Sequence, residues 1–176
     1  MTAHIKLLIF TISLICTFDL ISCKESGRQS GEKNVIGNRV IDDAGILTND
    51  QKKNIFSQIE ELENQTGSQI ALVFIKSLEG QDINQYSYKK FGNLGLGRPS
   101  YDDGVLITVA IQDRRSRIEV GLGLEKIIKD EIAARIIREQ MSPKFREQKF
   151  YEGITGAIDE IAGLIIANRD MIGQRP

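Results

Sequence analysis

The chain has no tryptophan, its single histidine is His4, and its two cysteines, Cys16 and Cys23, also lie near the amino terminus. If that segment is removed or lipidated, the folded part carries no imidazole and no free thiol. Ser-His-Asp and Cys-His catalysis, histidine-ligated zinc, disulfides and thiol redox chemistry are then excluded. Any metal would have to sit on oxygen ligands, which favours calcium or magnesium. A positive surplus is missing too: 23 Lys and Arg stand against 24 Asp and Glu. A nucleic-acid footprint needs basic charge gathered on one face, so no nucleic-acid partner is expected. No internal repeat is present, and 176 residues suit one domain with a sizeable core.

Residues 1–22 read as a lipoprotein signal peptide. Lys6 supplies the positive start, and the apolar run from Leu7 to Phe18, about 12 residues, is too short to anchor stably across a bilayer. Leu20-Ile21-Ser22-Cys23 resembles a bacterial lipobox, with a branched apolar residue three positions before the cysteine and a small one directly before it. Cys16 fits less well because Ile15 before it is large. Cys23 is therefore the expected lipidation site, with an ordinary cleaved signal peptide as the alternative. Several acyl chains on one residue anchor firmly, at about 0.8 kcal/mol per buried CH₂. Residues 23–39, polar and rich in Gly and Ser, read as a flexible tether. The expected partners are thus the membrane, through Cys23, and an envelope protein, with the domain on the extracytoplasmic side.

The domain is expected over residues 40–168, with residues 169–176 as a frayed tail. Val40 to Gly45 opens it as a short edge strand or an extended segment. Thr48 and Gln51 form a T-x-x-Q capping box, and Ile55, Ile59 and Leu62 follow at helical spacing until Gly67. Ile70 to Ile75 is an unbroken apolar run, the pattern of a strand buried on both faces. A weaker helix runs from Asp82 to Leu94, and a second buried strand from Val105 to Ile111. The third strand alternates, Ile118 and Val120 facing one way and Arg117 and Glu119 the other. A helix from about Lys129 to Gln140 is expected to stop at Pro143. Tyr151 to Ala167 carries Ile154, Ile158, Ile161 and Ile165 on one stripe. The order (β)αβαββαα predicts an α/β fold: a three-layer α/β/α sandwich around a small mixed β-sheet, with a right-handed crossover and a final hairpin.

That hairpin, Tyr101 to Glu125, is where chemistry gathers. Asp102, Asp103 and Gly104 lead into one strand; the charged turn Asp113-Arg114-Arg115-Ser116 reverses the chain; Gly121 and Gly123 close the return. Antiparallel pairing should bring Asp102 and Asp103 beside Gly121 to Glu125, an acidic mouth suited to a cation or a phosphate. Gly121-x-Gly123 is no dinucleotide fingerprint, since Lys126 stands where a third glycine would be needed. The plainer reading is a D-D-G turn whose aspartates bond local backbone.

Four motifs in order resemble the TPM domain family: D-x-A-G-x-L at Asp42 to Leu47, D-D-G-V-L at Asp102 to Leu106, the block from Asp113 to Glu125, and R-I-I-R-E at Arg135 to Glu139. The match covers roughly Val40 to Leu164. The family includes thylakoid-lumen proteins of photosystem II repair and many exported or membrane-anchored bacterial proteins, and the fold it implies agrees with the sandwich read from the pattern. The resemblance implies either a metal-dependent acid phosphatase or a non-catalytic, calcium-binding accessory or assembly module.

In the first case Asp102 and Asp103 would bind the cation with backbone carbonyls of the Gly121 to Leu124 turn. Glu125 is a further candidate ligand, or else a helix-start residue favoured by the dipole. Asp42, at a family position, is another candidate ligand or an ordinary turn residue. The cation would lower the pKa of a bound water, with Asp102, Asp103 and Arg117 as candidate catalytic residues and Arg98 or Arg117 neutralising the phosphoryl group. The plainer reading of Arg117 and Glu119 is an ion pair involving a helix residue such as Arg135 or Arg138.

Overall fold

The computed structural model describes residues 39–175. The leader, Cys23 and most of the tether lie outside the described residues. The elements are β1 (Val40–Asp42), α1 (Asn49–Thr66), β2 (Gln69–Ile75), α2 (Ile83–Leu94), β3 (Gly104–Ala110), β4 (Arg115–Val120), α3 (Asp130–Ile136), α4 (Ser142–Arg146) and α5 (Phe150–Ala167). The four strands lie side by side in chain order, β1, β2 and β3 parallel and β4 antiparallel to β3.

The apolar runs explain the layers. In β2 and β3 successive side chains point to opposite faces, so an unbroken apolar strand needs cover on both. Ile70, Leu72, Phe74, Val105, Ile107, Val109 and Ile118 face the larger core, built with Ile55, Ile59 and Leu62 of α1 and the isoleucine stripe of α5. Ala71, Val73, Ile75, Leu106 and Ala110 face a smaller core closed by Ile83 of α2 and by Leu78 and Leu96. The fold is the expected α/β/α sandwich around a small mixed sheet.

Sequential strand order with α1 and α2 on opposite faces means that the two crossovers have opposite hands. One of them therefore departs from the right-handed preference expected of such connections.

Local chemistry sets several boundaries. Thr48 and Gln51 make the reciprocal capping box at the start of α1, and Gly67 ends the helix at φ 79°. Asp82 caps α2 by accepting from the Asn84 and Gln85 N–H groups, which hold its carboxyl below the usual range. Pro143, expected from the sequence to end the helix, does not do so: the chain's helical course continues through it. It sits in the first turn of α4, and Ile137–Met141 forms a π turn just before it. Proline lacks the N–H that residue 139 would receive and its ring crowds that carbonyl; the wider turn accommodates both, and Ser142 Oγ donates to the Ile137 carbonyl.

The segment expected as a frayed tail folds back instead. Arg169–Met171 forms a 3₁₀ turn, and the Gly173 N–H donates to the Gly123 carbonyl at 3.0 Å. Among the described residues no helix is long and apolar enough to cross a membrane.

Candidate functional site

The hairpin mouth closes as its sequence implies. The Gly121 N–H donates to the Gly104 carbonyl at 2.8 Å, and the Gly123 N–H to the Asp102 carbonyl at 3.0 Å. The glycines are there because backbone crosses them: a Cβ on Gly123 would lie 1.7 Å from the Tyr101 carbonyl oxygen, and one on Gly121 2.2 Å from that of Asp102. Close approach of one backbone to another needs a missing side chain, so the G-x-G pattern is accounted for by hairpin closure.

Asp103 is fully buried. Its Oδ1 accepts from the Arg98 backbone N–H at 2.7 Å, and its Oδ2 from Arg98 Nε at 2.9 Å, Arg98 Nη2 at 2.6 Å and Ser68 Oγ at 3.3 Å. Arg98 is held in turn: Nη2 also donates to the Thr66 carbonyl, and the guanidinium lies 3.9 Å from the Tyr101 ring centre. The loop makes this possible because the N–H groups of Tyr101 and Asp102 both donate to the Arg98 carbonyl. A buried carboxylate is tolerated only when paired and hydrogen-bonded, and here one arginine supplies both.

Asp102 turns the other way. It takes φ 50°, and its partly exposed carboxylate accepts from Arg175 Nη2 at 2.5 Å. The tail that supplies Arg175 thus lies across the mouth.

Beside this cluster runs a second polar chain absent from the sequence reading. Both terminal guanidinium nitrogens of Arg39, Nη1 and Nη2, donate to Glu63; Gln69 Nε2 donates to Glu63 Oε1 at 2.8 Å, and Gln69 Oε1 accepts from the Gly97 N–H at 3.0 Å. The Arg39 bond holds the Glu63 carboxyl below its ordinary range against the opposing effect of burial, and the Gln69 bond adds to the lowering. The two chains together tie α1, β2 and the loop before β3 at the amino ends of the parallel strands.

Asp42 and Arg117 are elsewhere. Asp42 pairs in register with Phe74, and Phe74 with Val109, so it sits at the carboxyl ends of the strands. At about 3.3 Å per residue that is some 17 Å along the sheet from Gly104. Its buried carboxylate accepts from the Ile46 and Leu47 N–H groups at 3.0 Å each and lies 3.2 Å from Lys52 Nζ. Arg117 pairs in register with Thr108, in mid-strand, and donates to Glu119 at 3.1 Å; its other contact is Asp130 at 4.0 Å. The expected helix partners are engaged elsewhere: Arg135 pairs with Glu160 and Glu139, and Arg138 with Glu139. Glu125 makes no hydrogen bond or ion pair among the described residues.

The donor set at the mouth therefore does not fit a cation as it stands. Among the described residues no three carboxylates converge, and both oxygens of Asp103 already accept hydrogen bonds, Oδ1 from the Arg98 backbone N–H and Oδ2 from the Arg98 guanidinium and the Ser68 hydroxyl.

A cavity lies at the opposite end of the sheet. A cleft of about 550 Å³ lies between the β3–β4 turn and the segment from the π turn through α4 to α5. Ile111, Ile137, Phe145 and Phe150 supply its apolar surface, and Arg114, Arg115 and Arg146 the charge. In open α/β sheets, ligands bind outside the carboxyl ends of the strands. The only hint of this in the sequence is the Arg114-Arg115 pair, read there as a charged turn.

Comparison with known proteins bears on the whole domain. The family model of the TPM domain matches residues 40–164. No curated protein matches the chain. Similar solved structures include three determined in solution. The N-terminal domain of a P. gingivalis protein is 25% identical, with a TM-score of 0.69 over 74% of this chain and 83% of that one. The BA42 protein from the psychrophilic Bizionia argentinensis is 23% identical, with a TM-score of 0.60 over 74% and 91%. The N-terminal domain of the cg2496 protein from Corynebacterium glutamicum is 14% identical, with a TM-score of 0.57 over 71% and 78%.

Proposed function

Starting from the premise that the chain belongs to the TPM domain family, we propose that it is a non-catalytic accessory module, lipid-anchored through Cys23 on the extracytoplasmic side and docking onto envelope partners. The observation that carries this reading is the commitment of Asp103. A buried carboxylate that accepts four hydrogen bonds, three of them from one arginine, already has its charge balanced by that guanidinium, which disfavours both holding a metal and acting as a base toward water. Asp102, the other half of the pair, would have to give up Arg175 first. Arg117, paired with Glu119 in mid-strand, is remote from both.

The reading retains a role for the mouth: it locks the hairpin, the loop before β3 and the tail together, and so fixes the surface the domain presents. The test is turnover of a chromogenic phosphomonoester at acid and neutral pH with calcium or magnesium present. The proposal expects the wild-type rate to equal that of Asp102→Asn protein. A wild-type rate that exceeds it and falls on chelation would restore the metal-dependent phosphatase.

A further inference from the structure

The cleft at the carboxyl end of the sheet differs from the rest of the molecule in charge. The chain as a whole is balanced, at a formal net charge of −1. The cleft is lined by three arginines and by no aspartate or glutamate. Arg114 and Arg146 make no ion pair among the described residues, and Arg115 reaches Asp82 only at 3.8 Å, with half of its side chain exposed. The cations stand on separate walls, Arg114 on the turn before β4, Arg115 at the first position of β4 and Arg146 at the end of α4. Below them Phe145 and Phe150 pack with ring centres 5.0 Å apart.

The backbone at the rim is strained in the same place. Arg114 has φ 52° and Gln148 φ 60°. Side chains with a Cβ avoid this region, and glycine or asparagine would hold the turn at lower cost. Strain kept at a cavity rim points toward function rather than toward stability. The π turn that contributes Ile137 and leads into Ser142 is a second irregularity in the cleft wall, of a kind that recurs at functional sites.

We propose that this cleft docks an acidic segment of a partner protein, with one aromatic or branched apolar side chain seated against Phe145 and Phe150 and flanking carboxylates paired with Arg114, Arg115 and Arg146. A volume of about 550 Å³ holds one large side chain and its neighbours' inner halves. Cations on two walls match carboxylates spaced along a chain better than a single point charge. Arginine engages carboxylates bidentately, and with aromatics it dominates docking energetics. The proposal rests on the reading that the domain works by docking, and it names the chemistry of what is docked.

The experiment uses the isotopically labelled protein and three capped peptides, EDFDE, EDADE and KKFKK, followed by amide chemical shifts. EDFDE should shift Arg114, Phe145 and Gln148 and weaken steeply with added salt; EDADE should bind at least tenfold more weakly and KKFKK not at all. Arg146→Ala should lower the EDFDE affinity at least fivefold. Arg114→Gly should do the same while raising Tm, because glycine fits that φ; loss of binding with gain of stability cannot come from misfolding. EDFDE affinity unchanged in both variants, or shifts confined to the hairpin mouth, would overturn the proposal. So would inorganic phosphate producing the same shifts at the same concentration, or anionic phospholipid vesicles binding where the peptide does not. Phosphomonoester turnover by the same sample would overturn the docking-only reading alone, and absent peptide shifts would overturn the occupant alone.

Discussion

Arg98 reaches Asp103 through both backbone and side chain: its N–H donates to Oδ1 at 2.7 Å, and its guanidinium grips Oδ2 at 2.6 and 2.9 Å. The pair is five residues apart, so the loop before β3 is closed on itself by one ion pair whose acid is buried.

Removing either partner strands the other. Arg98→Ala leaves a buried carboxylate without its cation, and such a loss costs about 3–5 kcal/mol. Asp103→Ala should cost less, because Arg98 keeps contact with solvent and the Thr66 carbonyl. Urea unfolding of both variants checks the order; equal small losses would show the pair to be incidental.

Asp102 should behave differently although it is the neighbouring residue. Its partner is an exposed arginine, and exposed pairs contribute about 0–1 kcal/mol. Asp102→Asn should leave Tm within a degree or two while freeing the tail, read as faster amide exchange at Gly173.

Asp42 is a loop brace at the far end of the sheet. The two backbone N–H groups that donate to it and its Lys52 contact predict that Asp42→Ala costs about 1–3 kcal/mol. It should leave any cation response of the mouth untouched. A calcium response altered by this substitution would contradict the placement.

The Arg39–Glu63 pair gives the acid limb of stability. Glu63 is held below its ordinary range in the folded state, so its contribution is fully present above the unfolded value, about 4.3. It is lost as pH falls through the lower folded value. The stability difference between wild type and Glu63→Gln should therefore shrink between pH 6 and pH 3, measured by denaturant titration at each pH.

Much of the architecture could be read from residue patterns because its causes are local. Thr48 and Gln51 cap α1, and the unbroken runs at Ile70 and Val105 demand cover on both faces. The site was less legible for reasons of distance and direction. A D-D-G string shows two carboxylates but not that Asp103 turns inward onto Arg98, which depends on the loop's hydrogen bonds. Asp42 shares a motif with the mouth's family, yet strand periodicity does not say which end of a parallel sheet it marks. Pro143 signalled a stop, and only the π turn before it lets the helical path continue. The arginine cleft draws on residues 114 and 146, brought together by the sheet and by no local pattern.

The hairpin mouth is a latch whose two aspartates, Asp102 and Asp103, are each held by an arginine. The most direct measurement is thermal unfolding in chelator and in millimolar calcium, for wild type, Asp102→Asn and Asp103→Asn. The latch predicts a wild-type Tm that does not move with calcium and a Tm for Asp103→Asn several degrees lower in both buffers. A calcium-dependent rise in wild type that disappears in either variant would contradict it.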